Sequence, residues 1–316
     1  MRVLITGSSG QIGSNLGLHL LQRGHEVFGV DIRPNTWTTR IPTLLQDLGE
    51  RTARFRGGVG DQDWPQDLDL VVHLAAHAKV HELVEKPLRA LDNITITFNV
   101  LEFCRQNRLP VVFSSSREIY GDIHRYITDE AHADFYYMES PYAASKLSGE
   151  ALIYSYAQCY DLPYLVFRFS NVYGRFDNDL ERMERVIPLF IREISAGRPV
   201  TVYGQEKVLD FTYVDDCVQG VSAGIERFLA GALRDETINL ACGEGHRLLD
   251  MVHFIGEALE TGAELRIEPS RAGEITHYVA NIDKARELLD YAPQTSLREG
   301  IRRAVAWSRE WADGQG

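Results

Sequence analysis

The stretch VLITGSSGQIG, Val3 to Gly13, decides how the rest of the chain is read. A short run of strand character, Val3 to Thr6, passes straight into Gly7, Gly10 and Gly13, and an amphipathic stretch follows from Ile12 to Arg23. Strand, glycine loop and helix in that order predict a dinucleotide site. Glycines allow a tight turn and bring the backbone close to a pyrophosphate, while the helix amino terminus, with Gln11 and Ile12 at its opening, faces the phosphate charge. The spacing is GxxGxxG rather than GxGxxG, which carries little weight alone. Asp31 supplies context: it ends the next aliphatic run, where a carboxylate accepts both hydroxyls of a ribose. That carboxylate favours NAD over NADP. Arg33 is near enough to receive a 2'-phosphate, but Asp31 would repel it.

Working outward, Glu26 to Val30, Leu70 to Leu74, Val111 to Ser115 and Tyr164 to Phe169 read as further strands, with helices over Ile12 to Arg23, Asn93 to Asn107 and Tyr142 to Cys159. Strands that are apolar on both faces and alternate with helices predict an α/β fold: a doubly wound parallel, Rossmann-like sheet. Ligands then bind at the carboxyl ends of the strands. Beyond residue 170 the pattern loosens into a Gly- and Pro-punctuated segment, a helix near Val214 to Leu229 and a mixed tail, which predicts a second, smaller α/β domain. The expected division is 1–170 plus about 211–236 for the dinucleotide domain, and 171–210 plus about 237–316 for the substrate domain.

The chain has 316 residues, 44% hydrophobic and 25% charged, enough to bury a large core. No apolar run approaches the roughly 20 residues of a spanning helix, and the amino-terminal strand is not a signal peptide, so a cytoplasmic protein without membrane attachment is expected. A net charge of -12 argues against broad nucleic-acid or anionic-membrane binding. The four cysteines, Cys104, Cys159, Cys217 and Cys242, lack metal-type spacing and are expected as reduced core thiols. His73, His77, His81 and His124 lack a matching carboxylate cluster, so no metal site is expected.

Tyr142-Ala143-Ala144-Ser145-Lys146 places a phenol and an ammonium four residues apart, on one face of a helix. A neighbouring positive charge stabilises phenolate and fits Tyr142 for general acid/base work. That pair also occurs on many surface helices. Ser114-Ser115-Ser116 strengthens it by ending a strand where active-site hydroxyls fall in this architecture, with Ser116 placed to hydrogen-bond the reacting oxygen.

These elements, with HLAAHAKV at 73–80, SSSREIYG at 114–121, SPYAASK at 140–146, RFSNVYG at 168–174, DFTYVDD at 210–216 and Arg271-Ala272-Gly273-Glu274, resemble the extended short-chain dehydrogenase/reductase superfamily, specifically its nucleotide-sugar epimerases and dehydratases. The resemblance covers essentially the whole chain. It implies NAD as cofactor, a nucleotide-sugar substrate, expected to be UDP-linked, and a homodimer formed through 93–107 and 142–159. Ser116, Tyr142 and Lys146 match the family's catalytic triad. Asp61 should contact adenine, Leu74, Ala75 and Ala76 should line the dinucleotide groove, Asn93 should stand behind the active site, and Ser114 should border the cofactor. Asn171 matches a residue that touches the nucleotide sugar and Arg271 one that holds its pyrophosphate, with Tyr203 expected nearby.

Two departures bear on the reaction. Leu209 stands where relatives usually carry an Arg, with Lys207 as a candidate substitute. Arg117-Glu118 stands where 4,6-dehydratases place Asp-Glu, so a dehydratase would lack its acid. The expected activity is 4-epimerisation through a transient 4-keto sugar. Dehydration or decarboxylation using Glu118 is the alternative on the same scaffold, and a catalytically silent NAD-binding regulator the alternative from another class. Arg117, Lys79 and Arg175 suggest a cationic pocket and hence a UDP-hexuronate, such as UDP-glucuronate, in preference to UDP-glucose; the alternative is that these cations pair with Glu118 and other acids or meet only the pyrophosphate. The charged run Glu181 to Arg185 reads as a solvated helix turn; the alternative, since it follows the NVYG loop, is that one of its arginines, Arg185 being the candidate, reaches the ligand.

Overall fold

The computed structural model describes residues 1–50, 67–121, 129–132, 138–177, 185–271 and 273–314, with side chains to 311. Asp61, His124, Ala272 and Glu181 to Glu184 lie outside the described residues. In chain order the strands are β1 Arg2–Thr6, β2 Glu26–Asp31, β3 Thr43–Leu45, β4 Leu70–His73, β5 Val111–Ser116, β6 Tyr164–Phe169, β7 Asn171–Tyr173, β8 Val200–Tyr203, β9 Val208–Tyr213, β10 Glu236–Leu240, β11 Gly245–Arg247, β12 Leu265–Glu268 and β13 His277–Tyr278. The helices are α1 Gln11–Gln22, α2 Val80–Glu85, α3 Leu88–Asn107, α4 Pro141–Tyr160, α5 Val186–Ser195, α6 Val214–Leu229, α7 Leu248–Leu259, α8 Asp283–Leu289 and α9 Leu297–Gly314.

Seven strands make one parallel sheet in the order β10-β6-β5-β4-β1-β2-β3. The order reverses between β1 and β4, so the carboxyl ends of those strands open a crevice there. Alternation along each strand explains the uniformly apolar runs: Val3 and Ile5 join one core cluster with Leu16 and Leu20 of α1, whereas Leu4 joins the other with Val100 and Cys104 of α3. β5 divides the same way, Val112 to one side and Val111 and Phe113 to the other. Both faces are therefore buried.

β7, β9, β11 and β13 form a smaller sheet, and β8 pairs with β12. β10 corrects the boundary drawn at 236. It pairs in register with β6 at the edge of the large sheet, so the aliphatic Ile238 and Leu240 fill the first core instead of starting the second domain. α3 also starts earlier than expected, at Leu88 rather than Asn93, because Pro87 at its amino cap fits the helix start. Among the described residues no helix is long and apolar enough to cross a membrane.

Candidate functional site

α4 positions the centre of the site. Ser140 caps it by accepting the Ala143 N–H at 3.1 Å, Pro141 occupies its first turn, and Asp161 ends it in the left-handed conformation. Gly149 lets the helix ride close to β5, since a Cβ there would lie 2.6 Å from the Phe113 ring. Tyr142 and Lys146 are consequently buried together under the end of β5. The Lys146 Nζ donates to Ser114 O at 2.7 Å and stands 5.9 Å from the centre of the Tyr142 ring, while the Ser116 hydroxyl hydrogen-bonds the Tyr142 phenol. Asn93 of α3 braces the assembly from behind: it accepts His77 N at 2.7 Å and donates to Ser145 Oγ at 3.1 Å, tying the loop after β4 to α4.

The electrostatics differ from the expectation that Lys146 brings Tyr142 down. Burial dominates and pushes the phenol up to about 12; the Ser116 hydrogen bond and the charges of Arg185 and Arg117 pull it back, and Glu118 pushes it further up. Burial also lowers Lys146 to about 8, opposed by Glu150 one turn along the helix. Glu150 is fixed by a buried bidentate pair with Arg168 of β6, at 3.0 and 2.8 Å, and Arg168 in turn donates to the Tyr120 hydroxyl at 3.0 Å.

A ring of charges adjoins the phenol. Ser116 caps a 3-10 turn over Arg117–Tyr120, and this tight geometry lets the adjacent Arg117 and Glu118 pair at 2.8 Å. Both are buried, at 9% and 4% exposure, and each keeps one side-chain atom, Arg117 Nη1 and Glu118 Oε2, without a hydrogen-bond partner. Burial pushes the Glu118 carboxyl up and Arg117 pulls it back. Lys207, 4% exposed, pairs with Glu274 at 2.5 Å; Glu274 adds to the upward push on Glu118 and Lys207 opposes it. Leu209 is buried. Lys207, two residues earlier, supplies a cation near that strand, but its charge is met by Glu274. Arg271 lies 3.8 Å over the Tyr203 ring, so these two predicted residues come together. Asn171 spends its Nδ2 on Asp210 O at 2.8 Å, joining β7 to β9.

Of the two readings of these cations, pairing with neighbouring acids is what Arg117 and Arg175 show. Arg117 is matched by Glu118, and Arg175 is exposed and paired with Asp215 at 2.6 Å. Lys79 caps the amino end of α2. Arg185, the residue just before α5, does reach the site: it pairs with buried Asp177 at 3.1 Å, donates to Val172 O and hydrogen-bonds Gln11 of the glycine loop. Asp177, pushed up to about 7 by burial, was not singled out in the sequence because nothing local marks it as buried.

The dinucleotide crevice fits a pyrophosphate. α1 begins at Gln11 with Gly10 as its cap, no side chain caps it and no acid stands in its first turn, so its amino-terminal N–H groups are left for an anion. Gly7 has φ +73°, and a Cβ there would lie 2.8 Å from Ala75 N; one on Gly13 would lie 2.3 Å from Gly7 O. The loop therefore presses against Leu74 and Ala75, with Ala76 following on the same loop. Asp31 accepts Ser9 N at 3.0 Å and Arg33 N at 3.2 Å, which holds its carboxylate at the crevice edge. Burial pushes it up against those hydrogen bonds.

Among the described residues no group of three or more potential ligands is positioned to hold a metal ion. His73 is instead a buried brace between Thr6 Oγ1 at 2.8 Å and Thr97 Oγ1 at 3.2 Å, held near 3 and hence neutral. Of the cysteines, Cys104 and Cys217 are buried and Cys242 half-buried. Cys159, expected in the core, is exposed on the outer face of α4 near its end.

Fold and crevice define a dinucleotide-binding enzyme of the α/β class. The model of the NAD dependent epimerase/dehydratase family matches residues 3–241, and the chain belongs to that family. It is an NAD-dependent epimerase. An uncharacterised UDP-glucose epimerase of Bacillus subtilis is 30% identical over 97% of this chain and 98% of its own length. A UDP-glucuronate 4-epimerase of Thermodesulfobacterium geofontis is also 30% identical, over 97% and 96%. The crystal structure of a UDP-glucose 4-epimerase from Thermotoga maritima with UDP-glucose superposes with a TM-score of 0.89 at 27% identity, covering 99% of this chain and 100% of that one.

Proposed function

We propose that the protein interconverts the C4 epimers of a UDP-hexose, UDP-glucose and UDP-galactose being the pair that the site favours. The observation that carries this reading is the buried Arg117–Glu118 pair beside Tyr142 and Ser116. A carboxylate at sugar C6 would meet the carboxyl of Glu118, which already takes up Arg117 Nη2 at 2.8 Å. A hydroxymethyl group can donate to Glu118 Oε2 and accept from Arg117 Nη1, the two polar atoms left unmatched. The preference for a uronate rested on free cations, and the pairing removes that motive.

When bound, NAD supplies an acceptor and then a donor of hydride at C4. Gly7, Gly10, Gln11, Ile12 and Gly13 hold its pyrophosphate, Asp31 its ribose, and Leu74 to Ala76 line its groove. Tyr142 takes the proton from the sugar O4 as C4 is oxidised and returns it on reduction. Ser116 orients the same oxygen. Lys146, anchored on Ser114 O, stands beside the phenol ring, and the charges of Arg185 and Arg117 favour its ionised form. Arg271 holds the pyrophosphate of the nucleotide sugar, with Asn171, Tyr203 and Arg185 lining the rest of its site. Glu118 binds sugar and takes no part in elimination, since Arg117 rather than an acid stands beside it where a dehydratase places its Asp.

We also propose a homodimer through α3 and α4. Leu88, Leu91 and Phe98 project from α3 at 75%, 50% and 45% exposure, an apolar face that a second copy would cover. The test of the reaction is a panel of UDP-glucose, UDP-galactose and UDP-glucuronate with proton NMR of the products. The expected result is UDP-glucose and UDP-galactose interconverting. A 4-keto-6-deoxy sugar or a UDP-pentose as main product would replace epimerisation with dehydration or decarboxylation.

A further inference from the structure

Four aromatic rings from three distant parts of the chain meet beside the cofactor crevice. Trp37 follows β2, Phe176 follows β7, and Trp307 and Trp311 belong to the last turns of α9. Trp37 lies 5.5 Å from Phe176, 6.0 Å from Trp307 and 5.0 Å from Trp311, while Phe176 meets Trp307 at 5.8 Å and the two α9 rings stack at 5.9 Å. These stacked and edge-on separations are those at which aromatic pairs attract beyond their buried area.

The two loops held by these rings are the ones that grip the glycine loop. On the Trp37 side, Asn35 donates to Ser8 O and to Ser14 Oγ, each at 3.0 Å, and accepts the N–H of Trp37 at 3.0 Å. Ser9 donates to Arg33 O at 2.9 Å, and Asp31 accepts Ser9 N. On the Phe176 side, Asn15 of α1 donates to Arg175 O at 3.1 Å, and Arg185, held by Asp177, hydrogen-bonds Gln11. Phe176 itself sits at φ +61°, a conformation that a bulky residue adopts only where its surroundings hold it. Trp37 and Trp307 provide that hold.

We propose that the carboxyl-terminal half of α9 is a cofactor latch, in which Trp307 and Trp311 clamp Trp37 and Phe176 and thereby fix the two loops that position the dinucleotide site. The four rings are positioning residues and act through Asn35, Asp31 and Arg185. The proposal goes beyond the epimerase reaction and does not depend on which sugar is turned over.

The experiment is calorimetric titration of NAD into the full-length chain freed of bound nucleotide, for wild type, Trp37→Ala, Trp311→Ala, the double variant and Trp37→Phe. Thermal unfolding of each in the absence of NAD runs alongside. The expected result is that each alanine variant raises the Kd for NAD about three- to tenfold, the scale of losing one or more aromatic pairs. The double variant should be no weaker than Trp37→Ala alone, since the two rings touch, and Trp37→Phe should restore most of the affinity. Unchanged Kd in both alanine variants overturns the proposal, as does a double variant whose losses simply add. If Trp37→Ala does not fold, Trp311→Ala near the chain end and Trp37→Phe decide by the same criterion.

Discussion

Replacing Glu118 by Gln keeps the shape of the side chain and removes its charge, and two consequences follow from the geometry. Arg117, paired with Glu118 at 2.8 Å and buried, loses its counter-charge and is left to seek another anion. A substrate carboxylate at C6 can then make the charge-assisted hydrogen bond that Glu118 made, worth about 1.5–3 kcal/mol, or roughly 10- to 150-fold in selectivity. The ratio of kcat/KM for UDP-glucuronate to that for UDP-glucose should rise by that factor. The second consequence concerns pH. The negative charge of Glu118 raises the Tyr142 phenol, so removing it lowers that phenol, and the limb of kcat that rises with pH as Tyr142 ionises should move to lower pH. The assay is steady-state kinetics with both sugars across pH, products identified by NMR. A ratio that does not change, or a limb that moves to higher pH, would refute the assignment of Arg117 and Glu118 to the sugar pocket.

Tyr142→Phe removes the transferable proton but not the ring, so kcat should fall at least about 10²-fold while calorimetry shows NAD binding retained. Asp31→Asn keeps an acceptor for Ser9 N but loses the charge facing the ribose; NAD affinity should fall by about 10-fold or more, and the preference over NADP should narrow, as read by competitive titration. Arg168→Met leaves Glu150 buried without its partner, and denaturant unfolding should show a loss of about 3–5 kcal/mol, because an unmatched buried carboxylate is costly.

Much of the fold is legible in the sequence because both faces of the large sheet are buried. Val3 to Ile5 and Val111 to Phe113 must be apolar at every position, and such runs mark themselves. Helix α4 is similarly marked by Ser140 and Pro141 at its start. Glu236 to Leu240 has an ordinary strand pattern, and only the pairing of β10 with β6 places it in the large sheet. At the site, Ser116, Tyr142 and Lys146 could be named from motif and spacing, but their electrostatics could not. A sequence shows the ammonium four residues from the phenol and does not show the burial that outweighs it. The sequence offered pairing of Arg117 with Glu118 as one of two readings and could not choose between them. Arg117 and Glu118 are neighbours in the chain, yet pair only because a 3-10 turn brings them together, and Lys207 meets Glu274 across four strands and two helices. The aromatic cluster had no local signal at all, since Trp37 and Trp311 stand at opposite ends of the chain.

Transient oxidation at C4 has a direct isotopic consequence. If hydride leaves C4 and returns within one binding event while Tyr142 handles only the oxygen-bound proton, UDP-glucose deuterated at C4 should yield UDP-galactose that keeps its deuterium at C4. The same reaction run in deuterated water with unlabelled sugar should place no deuterium on carbon. Proton NMR of the product reads both. Loss of the C4 label, or uptake of solvent deuterium at any ring carbon, would contradict the account.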